Sequence, residues 1–130
     1  MGPLTEKGEG TRERILVAAQ HAFAERGYDG ASLNEVIRSA EITKGGFYFH
    51  FPSKADLALA VIGATKERVQ QEILSHVRGE TGLERLVGLI EGAFAICDHG
   101  DQMEAISRLV DALARDPQTA GSVQYPWEQW

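Results

Sequence analysis

ASLNEVIRSAEITKGGFYFHFPSK, residues 31–54, is the stretch on which the reading of the whole chain turns. Ser32-Leu33-Asn34-Glu35 has the spacing of a capping box, with Ser32 as cap and Glu35 reaching back. Val36, Ile37 and Ala40 then share one inward face of a short helix. Ala40-Glu41-Ile42 makes a turn, and Ile42 is expected to be buried where it fixes the angle between the flanking helices. Thr43 caps a second short helix over 44–50, and Pro52 stops it. Ser53 caps a third, with Asp56 in the box position. Two short capped helices joined by a tight turn make a helix-turn-helix, in which the second helix presents one side to a DNA major groove.

Upstream, Thr11 is placed to cap a supporting helix. Ile15, Ala18, Ala19, Ala22 and Phe23 recur at three- and four-residue spacing along it, and Gly27 ends it. Tyr28 is placed to fold back on the core. Residues 1–10 read as a flexible arm. Downstream, a long helix is expected from Lys54 to Val77, a fifth over 83–96 and a sixth over 103–114. The sixth stops before Asp116-Pro117. Residues 118–130 show no clear period. The fold class is all-α: a three-helix helix-turn-helix head (11–53), then a long connecting helix and a partial helical effector-binding and dimerisation domain (54–130).

Composition is consistent with a globular chain, and no apolar run approaches the length of a membrane span. The start, MGPLTEKGEG, has no apolar segment of the secretory kind. The lone Cys97 cannot found an intrachain disulfide framework. Together these point to a cytoplasmic chain with Cys97 as a small buried apolar residue. The net charge of −6 argues against DNA binding until it is mapped. Residues 1–54 carry seven Lys/Arg and seven Asp/Glu, whereas residues 55–130 carry six and twelve. The acidic excess lies wholly in the second part, leaving a neutral head with a few aimed cations.

The second short helix, residues 44–50, is unusual in composition. Gly45 and Gly46 each lower helix propensity by about 1 kcal/mol, a cost that makes sense where backbone approaches another surface closely. Lys44, Tyr48, His50 and Lys54 supply donors for phosphate oxygens or base edges. Phe47 and Phe51, four apart, face the core, and Phe49 is the most exposed phenylalanine of the three. His21, His76 and His99 make no metal-ligand spacing with Cys97. No nucleophile elbow, phosphate loop or zinc signature is present, so neither an enzyme, a metal site nor a cofactor is expected.

From Thr11 to about Ile62 the chain resembles the TetR family of bacterial repressors. The resemblance rests on RERILVAAQHAFAERGYDGAS (12–32), LNEVIRSAEITKGGFYFHF (33–51) and PSKADL (52–57), and the order of elements continues to Arg115. It implies that Lys44 reaches the groove or a nearby phosphate, and that Thr43 is a phosphate-binding helix cap. Gly45 and Gly46 fall where relatives meet base edges, leaving backbone approach and DNA shape to do the reading. Tyr48 and His50 are similar to the family's phosphate-contacting pair, Lys54 to its phosphate lysine, and Ser32 to a backbone-phosphate contact.

The resemblance also implies a homodimer on a two-fold double-stranded DNA operator, acting as a repressor under a small-molecule effector. The effector site would lie among the later helices, where Met103, Ile106 and Val110 form a stripe with Leu109 and Leu113. That stripe is either core packing or pocket wall. Trp127, in the segment Tyr125-Pro126-Trp127, resembles the lactone-receptor branch of the family and would join the pocket. The chain stops before the two last helices with which the family dimerises, so the second domain is expected to be incomplete. The alternative function is an interaction module that pairs with a full-length regulator.

Overall fold

A buried stripe on each helix generates the architecture. The computed structural model describes residues 3–97 and 100–122. In chain order it has α1 (Pro3–Gly30), α2 (Leu33–Ser39), α3 (Lys44–His50), α4 (Lys54–His76), α5 (Gly82–Cys97), α6 (Gly100–Arg115) and a 3-10 turn, Ala120–Ser122. The fold is all-α, with no strand among the described residues.

The supporting helix starts at Pro3 rather than Thr11, so residues 3–10 of the segment expected as a flexible arm are helical. Proline is favoured in a first turn, where its missing N–H costs no bond. Gly27 takes φ 70°, ψ −179° and breaks the helix as expected. Left-handed φ of this kind suits glycine because it has no Cβ to clash. One further turn follows before Ala31, and Tyr28 folds back to stack on Phe23 with centroids 6.0 Å apart.

The core of the head takes Ile15, Leu16, Ala19 and Phe23 from α1, Val36 and Ala40 from α2, and Phe47 and Phe51 from α3. Leu57, Ala58, Val61 and Ile62 of α4 complete its floor. Ile106, Leu109, Val110 and Leu113 of α6 join the same cluster, because α6 lies along α1 as well as α4. From Ile106 to Leu113 the stripe on α6 therefore packs into the core. Thr119 anchors the exit of α6 by donating its hydroxyl to the Leu113 carbonyl at 2.5 Å.

The α2–α3 turn is held by Ala40 N–H to Val36 O (2.9 Å) and Ile42 N–H to Ile37 O (3.3 Å). Between them Glu41 adopts φ 53°, a left-handed conformation that L-residues other than asparagine and aspartate seldom take. Ile42 is half-buried rather than buried, packed at the edge of the core.

Helix α5 is built differently. It rests mainly on α4 and approaches it through Gly88 and Gly92. A Cβ at Gly88 would lie 2.2 Å from the His76 carbonyl oxygen, and one at Gly92 would lie 2.8 Å from Ile73 Cα. Only glycine permits that backbone approach. Around the rest of α5, Leu83, Leu86, Val87, Ile90 and Phe94 are exposed. Cys97, at its end, is exposed too, contrary to the expectation of a buried thiol, because no helix among the described residues covers that side. No helix among the described residues is long and apolar enough to cross a membrane.

Candidate nucleic-acid interface

Helix α3 is held from beneath by two rings and offers the opposite side to solvent. Phe47 is fully buried and Phe51 nearly so, their centroids 6.0 Å apart. Burying each contributes about 1.5–3 kcal/mol. The Thr43 hydroxyl accepts the Gly46 N–H at 3.0 Å, which caps the helix as expected. That oxygen can still donate its own proton outward, because a hydroxyl carries a donor as well as two lone pairs. Gly46 clears the cap, since a Cβ there would lie 3.1 Å from Thr43 Oγ1, whereas a Cβ at Gly45 would meet nothing within 4 Å.

The Ser32 cap fails. Ser32 has extended backbone and starts α2, but its side chain makes no cap hydrogen bond. Glu35, expected to close the box, instead pairs with Arg26 of α1 at 2.9 Å. The competitor is a charged partner one helix away. The pair is largely exposed and adds about 0–1 kcal/mol, while pinning α2 to α1. Ser53, by contrast, caps α4: Asp56 N–H donates to its oxygen at 3.1 Å, and its hydroxyl donates to Asp56 Oδ2 at 2.6 Å.

Lys44, Tyr48 and Phe49 are exposed, and His50 and Lys54 are half-exposed. Two of the aromatic contacts here serve the charged groups. Lys54 Nζ lies 4.9 Å from the centroid of Tyr28, and the Arg12 guanidinium lies 5.3 Å from that of Phe51. Both are within cation–π range, so each cation has a fixed seat at the edge of the α3 surface. Burial above all, and then the carboxylates of Asp116, Asp29 and Asp56, hold the Tyr28 phenol above its ordinary pKa. It therefore stays a neutral ring under Lys54. The pairings of Lys54 with Tyr28 and of Arg12 with Phe51 were missed from sequence, where nothing ties residue 28 to 54 or 12 to 51. Among the described residues, no group of three or more His, Cys, Asp and Glu side chains is placed to hold a metal ion.

Residues 15–61 match the family described as bacterial regulatory proteins, tetR family. Over these residues the chain is similar to the TetR family. The HTH-type transcriptional repressor BepR of Brucella suis is 38% identical over 68 residues, which are 52% of this chain and 32% of that protein. A solved structure concerned with the molecular basis for control of antibiotic production by bacterial hormones is 35% identical, with TM-score 0.71 over 92% of this chain and 62% of its own. A solved gamma-butyrolactone receptor (ArpA-like protein) is 33% identical, with TM-score 0.67 over 95% of this chain and 64% of its own. The chain spans less than two thirds of the length of each of these relatives.

The residues expected at an effector site divide. Met103 and Ile106 line a cavity of about 80 Å³ between α4 and α6, with Ile62, Val69 and Ile73. Met103 also lines a neighbouring cavity of about 150 Å³ reaching α5, with Thr65, Arg68, Ile96 and Gln102. Arg68 donates to Gln102 Oε1 at 2.6 Å across its rim. Val110 lines neither of these two cavities. It is buried in the core shared with α1, because the α6 stripe turns toward the head beyond Ile106. Trp127 lies outside the described residues.

Proposed function

We propose that this chain acts as a cytoplasmic, DNA-binding, ligand-responsive transcription repressor that binds a two-fold operator as a homodimer. The observation that carries the DNA reading is the seating of α3. Phe47 and Phe51 lock it to the core, while Gly45, Tyr48 and Phe49 face outward between the cations Lys44 and Lys54. A helix so held can enter a major groove about 12 Å wide. In this reading Lys44, Tyr48, His50 and Lys54 donate to phosphates or base edges. The Thr43 hydroxyl and the uncapped Ser32 hydroxyl donate to the phosphate backbone, and Gly45 and Gly46 let the backbone approach the base edges.

The operator reading is tested by fluorescence anisotropy of the purified chain with sites selected from a random DNA pool, over a range of salt concentrations. A two-fold site is the expected result. Lys44→Ala should weaken binding and reduce the log–log salt slope by about 1. No selected site, or a variant with the parent's slope, would overturn the reading.

The effector we propose is a gamma-butyrolactone-type molecule with an apolar tail. The apolar lining from Ile62, Val69, Ile73 and Met103, beside the polar rim of Arg68 and Gln102, supports that class, as does the likeness to a gamma-butyrolactone receptor. Such an effector shifts the equilibrium only by binding two arrangements of the paired heads unequally. Derepression requires that it weaken operator binding; tighter binding on adding it contradicts this.

The apolar surface of α5 favours one second reading, in which the chain pairs with a full-length regulator instead of with itself. Light scattering separates the two. A dimer of the purified chain on its operator supports the first, and a monomer that binds DNA only when mixed with such a regulator supports the second.

A further inference from the structure

The outermost residue of α3 has no hydrogen-bonding group. Phe49 is 83% exposed, more than Tyr48 beside it. At 3.6 residues per turn it points about 200° round the helix from buried Phe47, directly away from the core. Gly45, one turn earlier on the same ridge, leaves open space where a side chain would stand. The ridge of α3 that faces away from the core is thus bare backbone followed by one phenyl ring. The His50 ring meets Phe49 edge to face with centroids 5.2 Å apart, which limits the phenyl ring's freedom. Lys44 and Tyr48 lie to one side of this ridge and His50 to the other, so the polar groups flank an apolar centre.

A phenyl ring offers a base edge neither donor nor acceptor. In the major groove the one apolar feature of the four base pairs is the C5 methyl of thymine. We propose that Phe49 is a specificity-determining residue that reads a thymine methyl, so that this head selects its site by an apolar contact at the centre of α3. The inference rests on the DNA-binding reading above and adds to it the kind of base that is recognised.

The test uses the full chain and the site selected for it. Each thymine of the half-site is replaced in turn by deoxyuridine, which keeps the base pair and loses only the methyl. Binding is measured by anisotropy for the parent, Phe49→Ala and Lys44→Ala. In the parent, one or two positions should lose about threefold to tenfold in affinity on replacement, the scale of one buried methyl. Phe49→Ala should bind thymine and deoxyuridine equally at those positions. Lys44→Ala should bind more weakly everywhere yet keep the parent's discrimination. Circular dichroism of Phe49→Ala should match the parent, because the ring lies outside the core. Equal binding of thymine and deoxyuridine by the parent at every position, with the salt slope intact, overturns this inference and leaves DNA binding standing. Discrimination that survives in Phe49→Ala overturns it as well. Failure to select any site removes both readings together.

Discussion

Helix α1 and helix α5 both carry apolar residues at helical spacing, and the fold treats them oppositely. α1 sinks Ile15, Leu16, Ala19 and Phe23 beneath α2, α3, α4 and α6, so little of its apolar stripe meets water. α5 spends its buried face on two glycines and leaves Leu83 at 72% and Phe94 at 70% exposure. The head is thus held by side-chain burial, which is cooperative because many helices share each ring. α5 is held by backbone proximity to one helix, which gives close contact but little apolar area removed from water. Each apolar residue it leaves exposed is a place where another surface gains by docking.

The largest effect expected from this contrast is in the head. Phe47→Ala should destabilise it by about 3–5 kcal/mol, read as a lowered denaturation midpoint with α1–α4 unfolding together. A loss under about 1 kcal/mol would mean that the α3 seat is not the keystone of that core. Next comes the α4–α5 contact. Gly88→Ala forces a methyl against the His76 carbonyl and should cost about 1–3 kcal/mol. That loss should appear as faster amide exchange along α5, with exchange in α1–α3 unchanged. Equal loss of protection in both regions would show that α5 and the head unfold as one unit.

Smaller effects separate the caps. Thr43→Ala should cost about 1 kcal/mol, whereas Ser32→Ala should cost almost nothing, since only Thr43 makes a cap bond. Equal losses in thermal melts would break this distinction. The smallest effect is at the start of α5, where Glu84 Oε2 accepts Thr81 N–H, Glu80 N–H and the Thr81 hydroxyl. The Thr81 N–H above all, then its hydroxyl and the Glu80 N–H, hold the Glu84 carboxyl below its ordinary pKa. A carboxylate depressed in the folded state contributes fully above its unfolded pKa. The contribution is lost as pH falls through the lowered folded value. The Thr81 and Glu80 amide shifts should therefore titrate below the usual glutamate range, and not at all in Glu84→Gln.

Much of the head was legible because its signals are local. Thr43, Ser53, Pro52 and Gly27 act within a few residues of themselves, and each acts where its type predicts. Phe47 and Phe51 follow from spacing alone. Ser32 misled because the box requires Glu35 to stay local, and Arg26, distant in sequence, drew it away. The converse holds for Thr81-Gly82-Leu83-Glu84, a working capping box whose signal is masked by the helix-breaking glycine inside it. The seats of Lys54 on Tyr28 and Arg12 on Phe51 depend on tertiary contact and leave no trace in spacing. The exposure of Cys97 likewise depends on which helices cover α5, and Val110 on the angle at which α6 crosses α1. Which bases the exposed residues of α3 would meet belongs to a complex and not to the chain.

Helix α4 has one mechanical consequence. Its first half is bolted to the head through Leu57, Ala58 and Val61, and its second half lines the cavities at Val69 and Ile73. From Val69 back to Lys54 is about 22 Å of unbroken helix. As a rigid lever, it turns a rotation of about 8° at the cavity into about 3 Å of travel at Lys54, the span of a hydrogen bond. A displacement too small to notice in the cavity is therefore carried to Lys54 as a movement about as long as a hydrogen bond.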